Sequence, residues 1–309
     1  MRAAAVLFAS IALIAAAPPG QNAQYRATTT RVGIDVSVFS GNAPIPDLAA
    51  AEFALTDNGV PQQIDAVILT EVPVDISVVV DVSGSTFSQI VWYRRDVAAV
   101  AAMLRPIDRL RLITFESQVH EIQPLAPAGG AIDVDRILPG RISSVFDGLA
   151  AALLRESDAG RRHLVVGYTD GFDNRSVMTT DQLVELGRTS EAVLHLVVAN
   201  QLPDIDEADR PCRNAMATAG STPLRLTNRI CPKPPFLQQA AEVTGGKVHI
   251  GNSIAGTFKE IFRDFLNSYV LYFQPAGVST SGWHDIDVKV TRKGKYTVHA
   301  RRGYFAGAR

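Results

Sequence analysis

Residues 74–86 read VDISVVVDVSGST, and this stretch decides the fold. Its apolar run up to Val80 predicts a strand buried on both faces, which is typical of a parallel sheet. Asp81, Ser83 and Ser85 follow at alternate positions where the strand ends, and Gly84 allows the backbone to turn. Ligands of open α/β sheets bind at this carboxyl end, and hard cations prefer oxygen ligands. The stretch therefore predicts a cation site.

A simpler interpretation of the same stretch needs no ligand. The chain would turn from the strand into a helix that begins near Phe87, and the Ser85 hydroxyl would only cap that helix. Two later stretches favour the cation site, because they supply further oxygen side chains.

Strands and helices alternate over residues 74–268, which predicts a doubly wound, mostly parallel α/β sheet. The predicted strands after the first are 110–115, 163–168, 192–199 and 247–250, with 118–123 as an antiparallel edge. The predicted helices are one with its apolar face on residues 90–104, and then 143–154, 181–188, 235–243 and 257–267.

Both ends of the chain show the two-residue alternation of half-buried strands. Residues 24–73 predict a small β module, and residues 269–309 predict further strands, with a hairpin turn at 292–295. The two ends are expected to share one sheet or a sandwich, because a module of this size has a thin core of its own.

Composition and the predicted cellular location narrow the class of protein. The chain has 309 residues, 47% hydrophobic and 20% charged, with a net charge of −1, so no global field favours nucleic acid or an anionic membrane. Residues 1–23 predict a secretory signal, with an uncleaved membrane anchor as the alternative. No other segment is apolar enough to span a membrane. We therefore expect an exported protein, periplasmic or extracellular.

Cys212 and Cys231 are the two cysteines of the chain, and both lie in a proline- and charge-rich insertion at residues 201–231. In an oxidising compartment the expected state is a disulfide that closes this insertion. Two free buried thiols are the alternative.

A later apolar strand ends in Thr169-Asp170-Gly171, and between the two strands the chain reads RISSVFDGL at residues 141–149. Asp81-x-Ser83-x-Ser85 followed by this element resembles the metal-ion-dependent adhesion site of von Willebrand factor type A domains. That family has a threonine in a GGTxLYDAL-like stretch, and alignment on the Phe-Asp pair puts Ser143 there, with Ser144 as the alternative. The segment DLAAAEFALTDNGVPQQI and the terminal RRGYFA resemble the acidobacterial branch of the family.

The resemblance implies a non-catalytic protein for binding or adhesion. Five residues would hold Mg²⁺, or Mn²⁺ or Ca²⁺, and a partner protein would present an Asp or Glu to that cation. The implied ligands are Asp81, Ser83, Ser85, Ser143 and Asp170. Two carboxylates roughly neutralise a divalent cation, and five oxygens leave a coordination position for the partner.

Other interpretations of the site remain open at this point. A haloacid-dehalogenase-like phosphohydrolase would use Asp81 as its nucleophile, although Ser83 stands where the general acid of that class is expected. A serine hydrolase lacks its nucleophile-elbow motif, and a purely structural domain would hold no metal. His163 and His195 are interpreted as core residues. Asp173 and Asn174 either hydrogen-bond the site from behind or only make a turn.

Overall fold

The structure, a computed structural model, describes residues 31–69, 72–198, 235–251 and 253–307. These residues belong to one compact unit, Arg31–Arg309. The predicted signal at 1–23, the insertion at 201–231 and the Cys212–Cys231 disulfide lie outside the described residues and stay predictions.

The strands and helices follow one another with short connections. The strands are β1 (Val32–Ser40), β2 (Ala43–Pro44), β3 (Phe53–Asp57), β4 (Val60–Gln62), β5 (Ile64–Leu69), β6 (Val74–Asp81), β7 (Arg109–Phe115), β8 (Val119–Pro127), β9 (Arg162–Thr169), β10 (Val193–Val198), β11 (Val248–Ile250), β12 (Tyr269–Phe273), β13 (Gly282–Val290), β14 (Thr297–Ala300) and β15 (Gly303–Ala306). The α-helices are α1 (Ile90–Met103), α2 (Val145–Leu153), α3 (Thr180–Thr189), α4 (Pro235–Val243) and α5 (Ile254–Leu266).

The central sheet has the strand order β11-β10-β9-β6-β7-β8. All neighbours in it run parallel except β8, which pairs antiparallel with β7 at one edge. This order confirms the predicted fold class, a doubly wound and mostly parallel α/β sheet. It also confirms the antiparallel edge strand.

Helices cover both faces of this sheet because the residues of β6 alternate between two hydrophobic clusters. Val78 and Val80 pack on one face with α1 and α5, whose contacts include Val97 and Phe258. Val79 packs on the other face with α2, α3 and α4. All eight residues of β6 are buried, as expected of a strand covered on both faces, and the continuous apolar run Val78–Val80 indicates this from the sequence.

Strands from the two ends of the chain pair with each other in two antiparallel sheets. One sheet has the order β14-β1-β12-β5, with β2 on β1, and the other has the order β15-β13-β3-β4. Their facing side chains form a single core, which includes Ile34, Leu55 and Phe273. The two ends therefore form a sandwich, one of the two arrangements that the sequence left open.

The predicted hairpin at 292–295 is wrong. β13 pairs with β3 and β15, whereas β14 pairs with β1 in the opposite sheet. The turn therefore carries the chain across the sandwich from one sheet to the other. Alternation of apolar residues is the same in either arrangement, so it does not tell a hairpin from a crossing.

Arg162 joins the sandwich to the central sheet. Its Nε donates to Asp35 Oδ1 of β1 at 2.7 Å, and its Nη1 donates to the carbonyl of Phe265 at the end of α5 at 3.0 Å. The guanidinium carbon also lies 3.7 Å from the centroid of the Phe265 ring.

In the described part of the chain, no helix is both long enough and apolar enough to cross a bilayer.

Candidate metal site

The predicted site lies at the point in the central sheet where the strand order reverses. From β6 the chain goes on to β7 on one side, and it later returns to β9 on the other side. β6 ends at Asp81, and Asp170 directly follows β9, its parallel neighbour. Such a reversal opens a crevice at the carboxyl ends of the strands, and this is where ligands bind in doubly wound sheets.

Asp81 is fully buried, and both of its carboxylate oxygens accept hydrogen bonds. Oδ1 accepts one from the backbone N–H of Ser83 at 2.9 Å. Oδ2 accepts one from the Ser143 hydroxyl at 3.2 Å and one from the Thr169 hydroxyl at 2.8 Å. The side chain of Asp81 thus connects three loops, the ones after β6, before α2 and after β9.

The two serines of the motif do not serve as helix caps. Ser83 precedes a 3₁₀ turn at Gly84–Gln89 without a capping bond from its side chain, and α1 begins only at Ile90. The Ser83 and Ser85 hydroxyl oxygens lie 3.2 Å apart, Ser83 buried and Ser85 exposed. The interpretation of Ser85 as a cap for a helix near Phe87 is therefore wrong.

The structure gives a different reason for a glycine at position 84 from the one predicted. It is not among the glycines with a positive φ, so freedom to turn is not what this position requires. Its N–H instead donates to the carbonyl of Arg141 at 3.2 Å, and a Cβ here would lie 2.9 Å from that oxygen. A glycine lets the loop before Ser143 approach the serine motif. Gly171 does need glycine for its backbone, with φ at 84°.

Asp170 is buried and has one carboxylate oxygen without a partner. Its Oδ1 accepts a hydrogen bond from the N–H of Phe172 at 3.0 Å. Its Oδ2 has no hydrogen-bond partner among the described residues. A buried carboxylate oxygen is costly when unpaired, so this atom is suited to a cation.

The charges of the two aspartates are close enough to affect one another. Burial, and then the charge of Asp170, raise the pKa of Asp81 to about 6. Burial and the same two carboxylates also raise the pKa of Tyr93 in α1, whose hydroxyl donates to Gln89 Oε1 at 2.6 Å. The ion pairs of the described residues include none with Asp81 or Asp170, so no side-chain cation offsets this buried charge.

The structure brings Asp81 together with Ser83 and Ser143, and it places Ser85 beside Ser83. Ser144, the alternative to Ser143, is buried, and its hydroxyl has no partner among the described residues. The residues that the structure describes contain no cluster of three or more His, Cys, Asp or Glu side chains that could hold a metal ion. A cation here would need the serine hydroxyls as ligands, a donor set that hard cations accept.

Two residues support the site from behind: Thr169, which the sequence did not assign to it, and Asn174, for which the sequence left this role open. Thr169 donates to Asp81 Oδ2 and accepts the N–H of Gly171 at 3.0 Å. Asn174 holds the Ser143 backbone, so the interpretation of this residue as only part of a turn is wrong. The hydroxyl in Thr169-Asp170-Gly171 is a sequence signal for the role of Thr169, and the position of Asn174 just after this element was the signal for its role.

His163 and His195 lie in the core, as their apolar surroundings in the sequence indicate. His163 Nε2 is 2.9 Å from the Ser77 hydroxyl, and His195 Nδ1 is 3.0 Å from His249 Nε2. Burial lowers the pKa of both, that of His163 to about 4.

A scan against protein-family models finds no match for the chain, and a search of curated proteins finds no match either. Solved structures do resemble it. One is an aerotolerance-related membrane protein from Bacteroides fragilis, with multiple mutations to serines (15% identity, 62% of this chain and 98% of that chain, TM-score 0.41).

A second is a von Willebrand factor type A structure from Catenulispora acidiphila (12% identity, 84% of this chain and 73% of that chain, TM-score 0.49). A third is the pilus adhesin SpaC from Lactobacillus rhamnosus GG in an open conformation (13% identity, 74% of this chain and 43% of that chain, TM-score 0.43). The family that the motif resembles is thus among them, while the acidobacterial branch stays a prediction. These likenesses are too distant to assign a function, and the fold class rests on the sheet order.

Proposed function

We propose that this chain is an exported binding protein that holds a divalent cation and, through it, engages a carboxylate of a partner protein. The observation that carries the proposal is the buried and unpartnered Oδ2 of Asp170 beside a second buried carboxylate, Asp81. Two such charges without a counter-charge destabilise a fold, and a bound cation offsets them.

The oxygens of the site favour a hard cation. Asp81 and Asp170 supply the charge, and Ser83, Ser85 and Ser143 supply neutral oxygens, which suit Mg²⁺, Mn²⁺ or Ca²⁺ rather than a thiophilic metal. Bound there, the cation would supply a coordination position that a partner's Asp or Glu can fill. Ser85 is exposed, so the site opens to solvent on the side of the 3₁₀ turn.

A phosphohydrolase that uses Asp81 is the competing function. Both oxygens of Asp81 accept hydrogen bonds from this chain, and Ser83 stands two residues on, where the general acid is expected. A serine hydroxyl is a poor proton donor at neutral pH. Turnover of simple phosphate esters that is lost in Asp81→Ala would favour the enzyme over the binding protein.

Titration calorimetry with Mg²⁺ and Mn²⁺ tests the metal site. Asp81→Ala removes a charge and the group that joins three loops, so binding should be lost. Asp170→Asn keeps the side-chain size and removes a charge, and it should weaken binding by about tenfold or more. Ser143→Ala removes one neutral oxygen that water can replace, so its effect should be smaller.

Asp287→Ala is the matched control, because Asp287 is an exposed aspartate on β13 of the sandwich, where no metal is proposed. It should bind the metal as the wild type does. Circular dichroism checks that each variant is folded. Equal affinity in wild type and Asp81→Ala would end the proposal of a cation at this site. A pull-down from the native envelope, with and without EDTA, then asks which protein is retained only when the metal is present.

A further inference from the structure

Each loop that brings a proposed ligand to the site also exposes a large apolar side chain within two residues of it. Phe87 follows Ser85 by two positions and is 64% exposed. Ile142 directly precedes Ser143 and is 38% exposed, and Phe172 follows Asp170 by two positions and is 42% exposed. We call these three side chains the apolar collar.

Hydrogen bonds between the loops place the collar around one site. The N–H of Gly84 donates to the carbonyl of Arg141, which ties the Phe87 loop to the Ile142 loop. The N–H of Asn174 donates to the carbonyl of Ser143 at 3.0 Å, which ties the Phe172 loop to it as well. The three apolar side chains therefore belong to one loop cluster at the carboxyl edge of the sheet.

Exposed apolar side chains are concentrated at this edge. Eleven large apolar side chains are exposed in the described part of the chain, and seven of them lie in the three loops or in the first turn of α1. Beyond the collar these are Val91, Trp92, Leu138 and Val177. Single exposed apolar residues need no explanation, whereas a concentration around a polar site marks a surface for another molecule.

Exposed charges of both signs lie in these loops, since Asp133 and Asp135 in the loop before α2 are exposed. The exposed charges nearest in sequence to the proposed ligands are basic. Arg141 and Arg175 are exposed, and Arg95 stacks over Trp92 with its guanidinium carbon 4.8 Å from the ring centroid. Asp147, in the first turn of α2, is instead engaged within the chain, because its carboxylate accepts the N–H groups of Val177 and Met178. The part of the surface next to the proposed ligands thus complements a partner with a negative charge and apolar neighbours.

We propose that the partner presents its carboxylate between large apolar side chains, and that these pack on the collar of Phe87, Ile142 and Phe172. This inference rests on the proposed function, since it describes what surrounds the carboxylate that the cation would bind. A carboxylate set among polar residues would leave the collar exposed. Aromatic and aliphatic anchors next to a polar contact are what concentrates binding energy in a small interface.

Four capped pentapeptides test the inference against the full chain in Mg²⁺, with binding followed by calorimetry. Gly-Phe-Asp-Leu-Gly has apolar flanks, Gly-Ser-Asp-Ser-Gly has polar flanks, and Gly-Phe-Asn-Leu-Gly and Gly-Ser-Asn-Ser-Gly lack the carboxylate. The first should bind about tenfold more tightly than the second. Phe87→Ser and Phe172→Ser should reduce that advantage and leave Mg²⁺ affinity unchanged.

Phe305→Ser is the matched control, since Phe305 is 51% exposed but lies on β15 in the sandwich. It should keep the full advantage of the apolar peptide. Equal affinity of the two Asp peptides, or an advantage that survives in Phe87→Ser and Phe172→Ser, would overturn the inference.

The outcomes separate the two proposals. Asp peptides that bind equally well, and only with Mg²⁺, would refute the collar and support the metal bridge. Apolar peptides that bind with Asn as well as with Asp, and in EDTA, would support the collar surface and refute the bridge. No binding by any peptide at millimolar concentration would count against both.

Discussion

The backbone of Ser143 is held from two directions by one residue, Asn174. The N–H of Ser143 donates to Oδ1 of Asn174 at 2.9 Å, and the N–H of Asn174 donates to the carbonyl of Ser143 at 3.0 Å. The loop that presents the Ser143 hydroxyl to Asp81 is therefore clamped to the loop that follows Asp170. Two proposed ligands share one support.

Asn174→Ala should lower Mg²⁺ affinity about tenfold, although it removes no proposed ligand, because residues that orient ligands contribute on this scale. Calorimetry measures the effect. Asn267→Ala is the control, since it removes a comparable bond to the carbonyl of Arg263 at the end of α5, away from the site. An unchanged affinity in Asn174→Ala would show that the clamp does not position Ser143.

Gly84→Ala should weaken Mg²⁺ binding severalfold and destabilise the fold by about 1–2 kcal/mol. Its Cβ would lie 2.9 Å from the carbonyl oxygen of Arg141, a backbone atom that moves only with its loop. Gly130→Ala is the matched control, because the nearest atom to its Cβ would be the carbonyl oxygen of Pro127 at an ordinary 3.7 Å. Urea denaturation and calorimetry give the two readouts. Gly84→Ala that behaves as Gly130→Ala does would contradict the close approach.

The contribution of His163 to stability should fall between about pH 6.5 and about pH 4, whereas the raised pKa of Asp81 acts in the opposite direction over this range. Burial first, and then the charge of Arg111, lower the pKa of this histidine to about 4, while Asp75 opposes the shift. The unfolded chain, with a histidine pKa of about 6.5, therefore binds the proton first as the pH falls. The contribution is complete above about pH 6.5, and about 3 kcal/mol at most is lost as the pH falls toward 4.

His163→Gln should flatten this part of the pH dependence, since glutamine can still contact the Ser77 hydroxyl but does not titrate. Urea denaturation at pH 7.5, 5.5 and 4.5 measures it, with His120→Gln, at an exposed position, as the control. The same slope in wild type and His163→Gln would assign the acid sensitivity to other groups.

Tyr304→Phe should destabilise the sandwich by about 1–3 kcal/mol. Asp57 and His284 are fully buried, and Asp57 accepts the Tyr304 hydroxyl at one oxygen and lies 2.7 Å from His284 Nδ1 at the other. Removing the hydroxyl leaves a buried carboxylate oxygen without its donor. Tyr296→Phe, at a more exposed hydroxyl that donates at 3.4 Å to Lys293, should change stability by less than about 0.5 kcal/mol. Equal effects of the two changes would argue against a strong buried network.

Local patterns in the sequence were enough to predict the central sheet. The apolar run before Asp81 and the later run before Asp170 identify two neighbouring strands, and parallel neighbours end at the same edge. Ser143 came instead from the resemblance, by alignment on Phe146-Asp147, and its hydroxyl does donate to Asp81 Oδ2. Periodicity, motif order and the rule for open sheets all act over short stretches of chain.

Pairings between distant parts of the chain could not be predicted in the same way. Val36 of β1 pairs with Tyr269 of β12 and Ala300 of β14, and the sequence of none of these strands indicates which strand it pairs with. The hairpin predicted at 292–295 was wrong for this reason, since the alternation in β13 fits either sheet. The sequence could not decide whether Asn174 supports the site or only makes a turn, because its contact with Ser143 depends on how two loops meet.

The pairing of β1 with β12 and β14 sets the order in which this chain can acquire its structure. A polypeptide made, or moved across a membrane, from its amino end presents Ile34, Val36 and Val38 long before Tyr269 and Val298 exist to cover them. The central sheet is built from one continuous stretch and can form first, while the sandwich closes last. Until then β1 is an apolar strand with open edges, the kind of segment that aggregates or is bound by chaperones. The time needed to complete the carboxyl-terminal strands β12 and β14 therefore sets how long β1 stays open to pairing with another chain.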